Sequence, residues 1–160
     1  RQAADKLREV SFTRCVSSDL ARCWDTAELC LQGRNVAAEP CPALREQDMG
    51  ALEDLTWAQA EKLCGALVGR LLSDWFHTTP PAGESPAHML ERVGRCVDGL
   101  IARGEDTLVV GHNGSLSLLL YHLGLVKEEE LLQSGWFFRH GTYSAVRADE
   151  TGAELVCFNR

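Results

Sequence analysis

A short apolar run that leads through a histidine into a leucine-rich segment constrains this chain more than any other stretch. Residues 107–111 have the sequence Thr-Leu-Val-Val-Gly, the turn His112-Asn113-Gly114 follows, and residues 115–120 are Ser-Leu-Ser-Leu-Leu-Leu. This pattern predicts a buried strand and then a packed helix. In open parallel sheets, ligands bind beyond the carboxyl ends of the strands, where a helix N-terminus offers free N–H groups to an anion. His112 is therefore predicted to lie at a binding site.

Strand and helix patterns alternate along the rest of the chain. Ser17, Ser18 and Asp19 favour a helix N-cap, which predicts that a helix begins there after the first strand. The alternation predicts an α/β fold of three layers, α/β/α, with a mostly parallel central sheet, and one domain over residues 1–160. Strands are predicted at 12–16, 36–40, 107–111, 142–147 and 154–158, helices at 1–9, 19–33, 56–74, 85–104 and 114–124, and a charged helical segment at 127–133.

Composition excludes several classes of partner. The formal net charge is −7 and no cluster of lysine or arginine marks a phosphate-backbone contact, so nucleic acid is not an expected partner. No apolar run approaches the roughly 20 residues that span a bilayer, which predicts a soluble protein without a membrane partner. The seven cysteines show no metal-binding spacing and indicate small core residues in a reducing compartment, the cytoplasm. The oligomeric state stays open.

Several segments, in order along the chain, resemble motifs of the histidine phosphatase superfamily, which has the phosphoglycerate-mutase-like fold. Residues 17–22, followed by Thr26-Ala27, are similar to its Ser-Ser-Asp-Leu-x-Arg signature, and residues 44–50 to its Leu-x-Glu-x-x-x-Gly loop. Residues 83–85 resemble a Gly-Glu-Ser helix start, and residues 109–114 resemble the strand that delivers a second catalytic histidine. The resemblance implies a phosphatase that hydrolyses a small phosphomonoester through a phosphohistidine intermediate, without a metal or other cofactor.

The resemblance also implies a role for each candidate site residue. Arg22 would grip the equatorial oxygens of the transferred phosphoryl group, and the imidazole of His112 would donate a hydrogen bond to them. Glu46 stands at the position of the general acid, a carboxyl that protonates the leaving alkoxide. Asn113 stands where members often have glycine, and its backbone N–H is expected to point at phosphate.

The family's nucleophile, a histidine in an Arg-His-Gly strand, has no counterpart before residue 1. We expect on the order of 30 to 40 further residues upstream, from the usual lengths of strand, turn and loop. Two alternatives remain open: a degenerate member that binds phosphorylated ligands without turnover, or a rearranged site that uses Arg139-His140-Gly141. The latter motif is disfavoured because Tyr143 stands where the family has threonine. Cys64 and Arg70 spell a Cys-x5-Arg phosphate loop, but the pattern around them is helical and predicts a core cysteine.

Phosphatase activity is favoured over phosphoglycerate mutase activity, which is the further alternative. The segment between Glu46 and Glu84 is short, whereas the cofactor-dependent mutases that the chain resembles carry a longer insertion there. This shorter form is most similar to the bacterial broad-specificity and α-ribazole-phosphate phosphatases. It does not identify a substrate.

Overall fold

The computed structural model describes residues 1–133 and 135–160 fully, and residue 134 in its backbone. The chain divides into two compact units, residues 1–46 with 92–160, and residues 47–91. The prediction of a single domain stays a prediction. The helices are α1 (Gln2–Lys6), α2 (Ala21–Leu31), α3 (Trp57–Ser73), α4 (Pro86–Arg103) and α5 (Asn113–His122), and the strands are β1 (Arg14–Ser17), β2 (Ala38–Pro40), β3 (Thr107–Val110), β4 (Ala145–Asp149) and β5 (Gly152–Cys157).

A parallel three-stranded sheet carries the core of the first unit, and the predicted α/β fold is confirmed. Its order is β2-β1-β3, with Ser17 opposite Val110. The central strand β1 is buried from Cys15 to Ser17, as a strand flanked on both sides must be. Helix α2 packs its apolar stripe, Cys23, Ala27 and Leu31, against Cys15 and Val110. The sheet therefore ends with the carboxyl termini of β1 and β3 side by side.

Strands β4 and β5 form a separate antiparallel sheet, with a bulge between Ala145 and Val146. A cavity of about 1030 Å³ is lined by β3 on one side and by residues 145–148 of β4 on another. Within the part of the chain that the structure describes, β3 pairs only with β1 and β4 only with β5. On the side that faces this cavity, β3 and β4 therefore pair with no other strand of the described residues.

The predicted elements are present, but several boundaries are wrong. β1 begins at Arg14 rather than at Phe12, and the Phe12 ring lies 4.4 Å beneath the guanidinium of Arg34. The helix predicted from Asp19 begins at Ala21, and its N-cap residue Leu20 supplies no capping side chain. The predicted helical segment 127–133 contains only a 3-10 turn, Glu128–Glu130; the other 3-10 turns are Pro42–Leu44, Gly50–Leu52 and Ser134–Trp136.

The second unit is built around α3. Leu52, Ala60, Leu67, Val68 and Leu71 form its buried cluster. The helix is kinked at Cys64, where φ is −152° and ψ is 55°, and the Cys64 thiol donates to the carbonyl of Ala60 at 3.3 Å. Cys64 is half-buried and packs against this cluster, in line with the prediction of a core cysteine in a helix. None of the described helices combines the length and the apolar character of a membrane-spanning segment.

Gly50 is expected to be essential to the stability of the second unit. It has φ +53°, and a Cβ there would overlap the carbonyl oxygen of Pro81. Gly50→Ala should lower the free energy of unfolding by about 3 kcal/mol, since left-handed strain and overlap add. Gly69→Ala is the matched control, because a Cβ at this helical position meets no atom within 4 Å. That variant should gain about 0.5–1 kcal/mol. Urea unfolding of both variants is the measurement, and equal effects would contradict this account.

Candidate active site

The turn between β3 and α5 presents His112 at the carboxyl edge of the parallel sheet. Its backbone N–H donates to Ser115 Oγ at 2.9 Å, and the Ser115 hydroxyl donates back to the His112 carbonyl at 3.2 Å. These reciprocal bonds satisfy two polar groups at the start of the helix. Both residues are buried. The position of the imidazole is therefore set by the strand, the helix and this local pair of hydrogen bonds.

The His112 ring joins the turn after β1 to the first turn of α2. Arg22 Nε donates to His112 Nδ1 at 3.1 Å, and His112 Nε2 lies 2.9 Å from Ser18 Oγ. A guanidinium has no acceptor, so Nδ1 must be the unprotonated nitrogen. Nε2 therefore carries the hydrogen and donates a hydrogen bond to the Ser18 hydroxyl. The ring is neutral, with a fixed tautomer.

The electrostatic surroundings agree with this protonation state. Burial lowers the pKa of His112 below its ordinary value, and the nearby charges of Arg22 and Arg92 lower it further, while Glu46 acts in the opposite direction. A dianionic phosphate group placed beside the ring would add negative charge and favour the imidazolium. The site is thus arranged so that anion binding and protonation of His112 support each other.

Glu46 reaches the same cavity from the loop after β2. Its Oε2 accepts a hydrogen bond from the backbone N–H of Gly114 at 3.1 Å, in the first turn of α5. A Cβ on Gly114 would overlap Glu46 Oε1, so glycine is what permits this approach. The carboxyl of Glu46 therefore sits over a helix N-terminus and lines the cavity with Arg22 and His112.

Two arginines hold the loop that carries Glu46. Arg92, on α4, donates to the carbonyls of Ala43, Arg45 and Glu46 at 2.6, 3.0 and 3.1 Å. Arg45 makes a bidentate pair with Asp19, with Nε to Oδ1 at 2.7 Å and Nη2 to Oδ2 at 2.5 Å. Charged forks of this kind fix orientation as well as distance. The loop is thereby tied to α4 and to the turn after β1.

The structure brings Arg22, His112 and Glu46 together, and places Asn113 at their side. Asn113 is exposed, and its Oδ1 accepts from the backbone N–H of Phe138 at 2.9 Å. The expected role of its backbone N–H toward phosphate stays a prediction. His140 is exposed and lines the same large cavity, in the loop before β4. Among the residues described, it makes no hydrogen bond to Arg22 or His112. Groups of three or more candidate metal ligands are likewise absent from the described part.

Sequence reasoning missed Ser18, Cys23 and Arg92. Ser18 and Asp19 were assigned to a helix N-cap. The Ser18 hydroxyl does accept from the backbone N–H of Leu20 at 3.4 Å, but it also contacts His112, and Asp19 pairs with Arg45. The Cys23 sulfur lies 3.4 Å from His112 Nε2 and 3.3 Å from the Gly111 carbonyl oxygen. Arg92 lies on a helix far along the chain from the loop that it holds, and no local pattern links the two. For Ser18, the one signal in the sequence was its position directly after a predicted buried strand.

The neutral state of His112 gives a pH dependence of stability. Its folded pKa lies below the unfolded value of about 6.5, so its contribution is complete above that pH and is lost as pH falls through the folded value. The stability advantage of the wild type over His112→Gln should therefore shrink between about pH 7.5 and pH 5. Urea unfolding of both proteins across this range measures it. An advantage of the wild type that does not change with pH would refute the assignment.

Comparisons with known proteins identify the family and the fold. The family model for the histidine phosphatase superfamily, branch 1, matches residues 1–160. An adenosylcobalamin/alpha-ribazole phosphatase from Salmonella typhimurium is 33% identical over 162 residues, covering 96% of this chain and 76% of that protein. The crystal structure of an alpha-ribazole phosphatase from Shigella flexneri matches with a TM-score of 0.88 and 27% identity, over 99% of this chain and 79% of that one. A mycobacterial glucosyl-3-phosphoglycerate phosphatase shares the fold, with a TM-score of 0.80 and 22% identity over 98% of this chain and 81% of that one.

Proposed function

This chain belongs to branch 1 of the histidine phosphatase superfamily, and we propose that it hydrolyses a small phosphomonoester through a phosphohistidine intermediate. The family and the relative from Salmonella typhimurium support a phosphatase function. The observation that carries the finer proposal is the convergence of Arg22, His112 and Glu46 on one cavity at the carboxyl edge of the sheet. The names of the alpha-ribazole phosphatases make α-ribazole 5′-phosphate the first substrate to test.

Arg22 and His112 suit the stabilisation of a phosphoryl group in transfer. Negative charge spreads over three equatorial oxygens in such a reaction, so fixed donors aimed at those oxygens lower the barrier. Arg22 is exposed, lines the cavity and contacts His112 through Nε. The neutral ring of His112 already carries one donor, its Nε2–H. Neither group requires a metal ion for this role.

Glu46 suits the role of general acid. Protonation of a leaving alkoxide needs a carboxyl that is near the scissile oxygen and held in one orientation. The Gly114 N–H fixes one oxygen of Glu46, and Arg92 fixes the backbone on which the side chain stands.

We further propose that the nucleophile is a histidine on a strand from outside residues 1–160. The cavity between β3 and β4 supports this, since both strands turn unpaired edges to it and it has a volume of about 1030 Å³. A strand parallel to β3 would end beside His112 and Arg22. Such a strand would bring an imidazole to the position from which in-line attack on a phosphorus held by Arg22 is possible.

Phosphate release from the protein expressed from its complete reading frame tests the function. The substrates are p-nitrophenyl phosphate, α-ribazole 5′-phosphate and a set of alkyl phosphates. His112→Ala should lower turnover by about 10²- to 10³-fold, the loss typical of removing one oxyanion donor. His140→Ala should leave turnover unchanged. Absence of phosphate release from every substrate would refute the enzyme assignment, and a large loss in His140→Ala would transfer the nucleophile to His140.

Intact mass spectrometry checks the intermediate. Brief exposure to p-nitrophenyl phosphate should add about 80 Da, the mass of one phosphoryl group, and mild acid should remove it. The adduct should map outside residues 1–160. An adduct on a residue of this chain, or turnover without any adduct, would contradict the proposed intermediate.

Glu46→Gln is expected to show a leaving-group dependence. Turnover of alkyl phosphates should fall by roughly 10²-fold or more, while p-nitrophenyl phosphate, whose leaving group needs no proton, should be nearly spared. Steady-state kinetics on both substrate types measure the difference. Asp48→Asn, an exposed carboxyl two residues further along, is the matched control. Equal losses on both substrate types would argue against Glu46 as the acid.

A phosphate-binding module without turnover is the alternative class. It is favoured by one observation: the described residues around His112 include no second histidine in hydrogen-bond contact with it. Calorimetric binding of phosphate that depends on Arg22 and His112, without any hydrolysis, would establish this alternative. Phosphoryl transfer between hydroxyls of phosphoglycerate, without free phosphate, would instead indicate the mutase.

A further inference from the structure

Two cysteines lie sulfur to sulfur beside the loop that carries Glu46. Cys41 follows β2 directly and Cys96 lies on α4, and their Sγ atoms are 3.4 Å apart although 55 residues separate them in sequence. Both are free thiols and both are half-buried. The motifs that carry the proposed function involve neither residue.

The two sulfurs have different chemical environments. A hydrogen bond from Cys96 and the backbone N–H groups of Ala43 and Leu44 lower the pKa of Cys41 to about 6, against the opposing effects of burial and of Asp19. The same hydrogen bond, together with burial, raises the pKa of Cys96, and the charge of Arg14 only partly opposes this. These opposite shifts favour Cys41 as the sulfur that loses its proton more readily and Cys96 as the sulfur that keeps it. This is the arrangement of an attacking sulfur beside a resolving one.

We propose that Cys41 and Cys96 form a peroxide-responsive disulfide that alters the position of Glu46. The Cys41 thiolate attacks one oxygen of hydrogen peroxide, the O–O bond breaks, and the departing hydroxide takes up a proton to become water. The Cys41 sulfenic acid that results is attacked by the Cys96 sulfur, which loses its proton as the S–O bond breaks and a second water leaves. Two thiols are oxidised, one peroxide is reduced, and two waters form.

The disulfide would link the two elements that position the Glu46 loop, the turn at its start and helix α4. Cys41 is the first residue of the turn that leads through Pro42–Leu44 to Glu46. Cys96 lies one helical turn after Arg92, which holds the carbonyls of the same loop. The sulfurs must close from 3.4 Å to about 2.0 Å to bond. That movement draws the start of the loop toward α4. The hydrogen bond between Glu46 and Gly114 depends on the present position of the loop, so the disulfide should weaken it.

The other cysteines provide internal controls. Cys15, Cys23 and Cys30 are buried, and burial is the leading cause that raises the pKa of each thiol. Cys157 is half-buried like the proposed pair and lies at the end of β5. Cys157→Ser therefore matches the pair in exposure without touching it.

Peroxide treatment followed by peptide mapping tests the disulfide itself. The reduced protein, exposed to a few equivalents of hydrogen peroxide, should lose about 2 Da and yield one Cys41–Cys96 cross-linked peptide. Cys96→Ser should instead accumulate a Cys41 sulfenic acid that dimedone captures, and Cys41→Ser should form neither product. Cys157→Ser should behave as the wild type. A cross-link elsewhere, or an equal rate of oxidation in Cys41→Ser, would overturn the proposal, and Cys41→Ala replaces Cys41→Ser if the serine variant fails to fold.

Stability and activity report the consequence. Closing this long loop should raise the melting temperature by about 5 °C or more, and dithiothreitol should reverse the rise. The activity readout rests on the proposed function: oxidation should slow alkyl phosphate hydrolysis more than that of p-nitrophenyl phosphate. A mapped disulfide with unchanged turnover of both would overturn the effect on Glu46. If the reduced protein releases no phosphate from any substrate, the proposed function fails, while the mapping still decides the disulfide.

Discussion

The parallel pairing of β1 with β3 is the interaction on which the candidate site depends. Ser17 lies opposite Val110, and the ladder continues as the Ser18 N–H donates to the Val110 carbonyl at 2.8 Å. The next residues on each strand leave the sheet at the same edge. Ser18 and His112 therefore meet although 94 residues separate them, and Arg22 follows from the first turn of the helix after β1. A slip of one residue in this ladder would send these side chains to opposite faces.

Some arginines at the edge of the sheet hold a loop in place, and another is exposed beside His112. Arg92 and Arg45 satisfy carbonyl and carboxylate oxygens and so fix a loop that has little regular structure of its own. Within the described part of the chain, the Arg22 side chain donates to one nitrogen of a neutral ring and stays exposed. A cation with incomplete partners beside a buried histidine creates a positive potential in a concave surface, whereas the paired arginines contribute rigidity. The overall negative charge of the chain makes this local positive region more distinct.

The parts of the fold that the sequence predicted are those determined by local pattern. The apolar run at 107–110 and the leucines after it specify β3 and α5, and hence the place of His112. The local pattern at Ser18 and Asp19 predicted only a helix N-cap, whereas their side chains also contact the distant residues His112 and Arg45. Arg92 and the pairing of Cys41 with Cys96 depend on contacts between remote segments, which no periodicity records. The kink at Cys64 precedes Gly65, a poor helix former, but the pattern of apolar positions continues across it.

Gly114 stands in the first turn of α5, where most side chains would favour the helix more. Alanine in a helix is worth about 1 kcal/mol over glycine, so this position sacrifices intrinsic helicity to admit a carboxyl against the backbone. Screens that select for thermal resistance alone would tend to enrich larger residues here. The same substitutions would push Glu46 away from α5. At residue 114, thermal stability and the position of Glu46 in the cavity are therefore opposed. Engineering for higher stability there would cost the cavity its carboxyl.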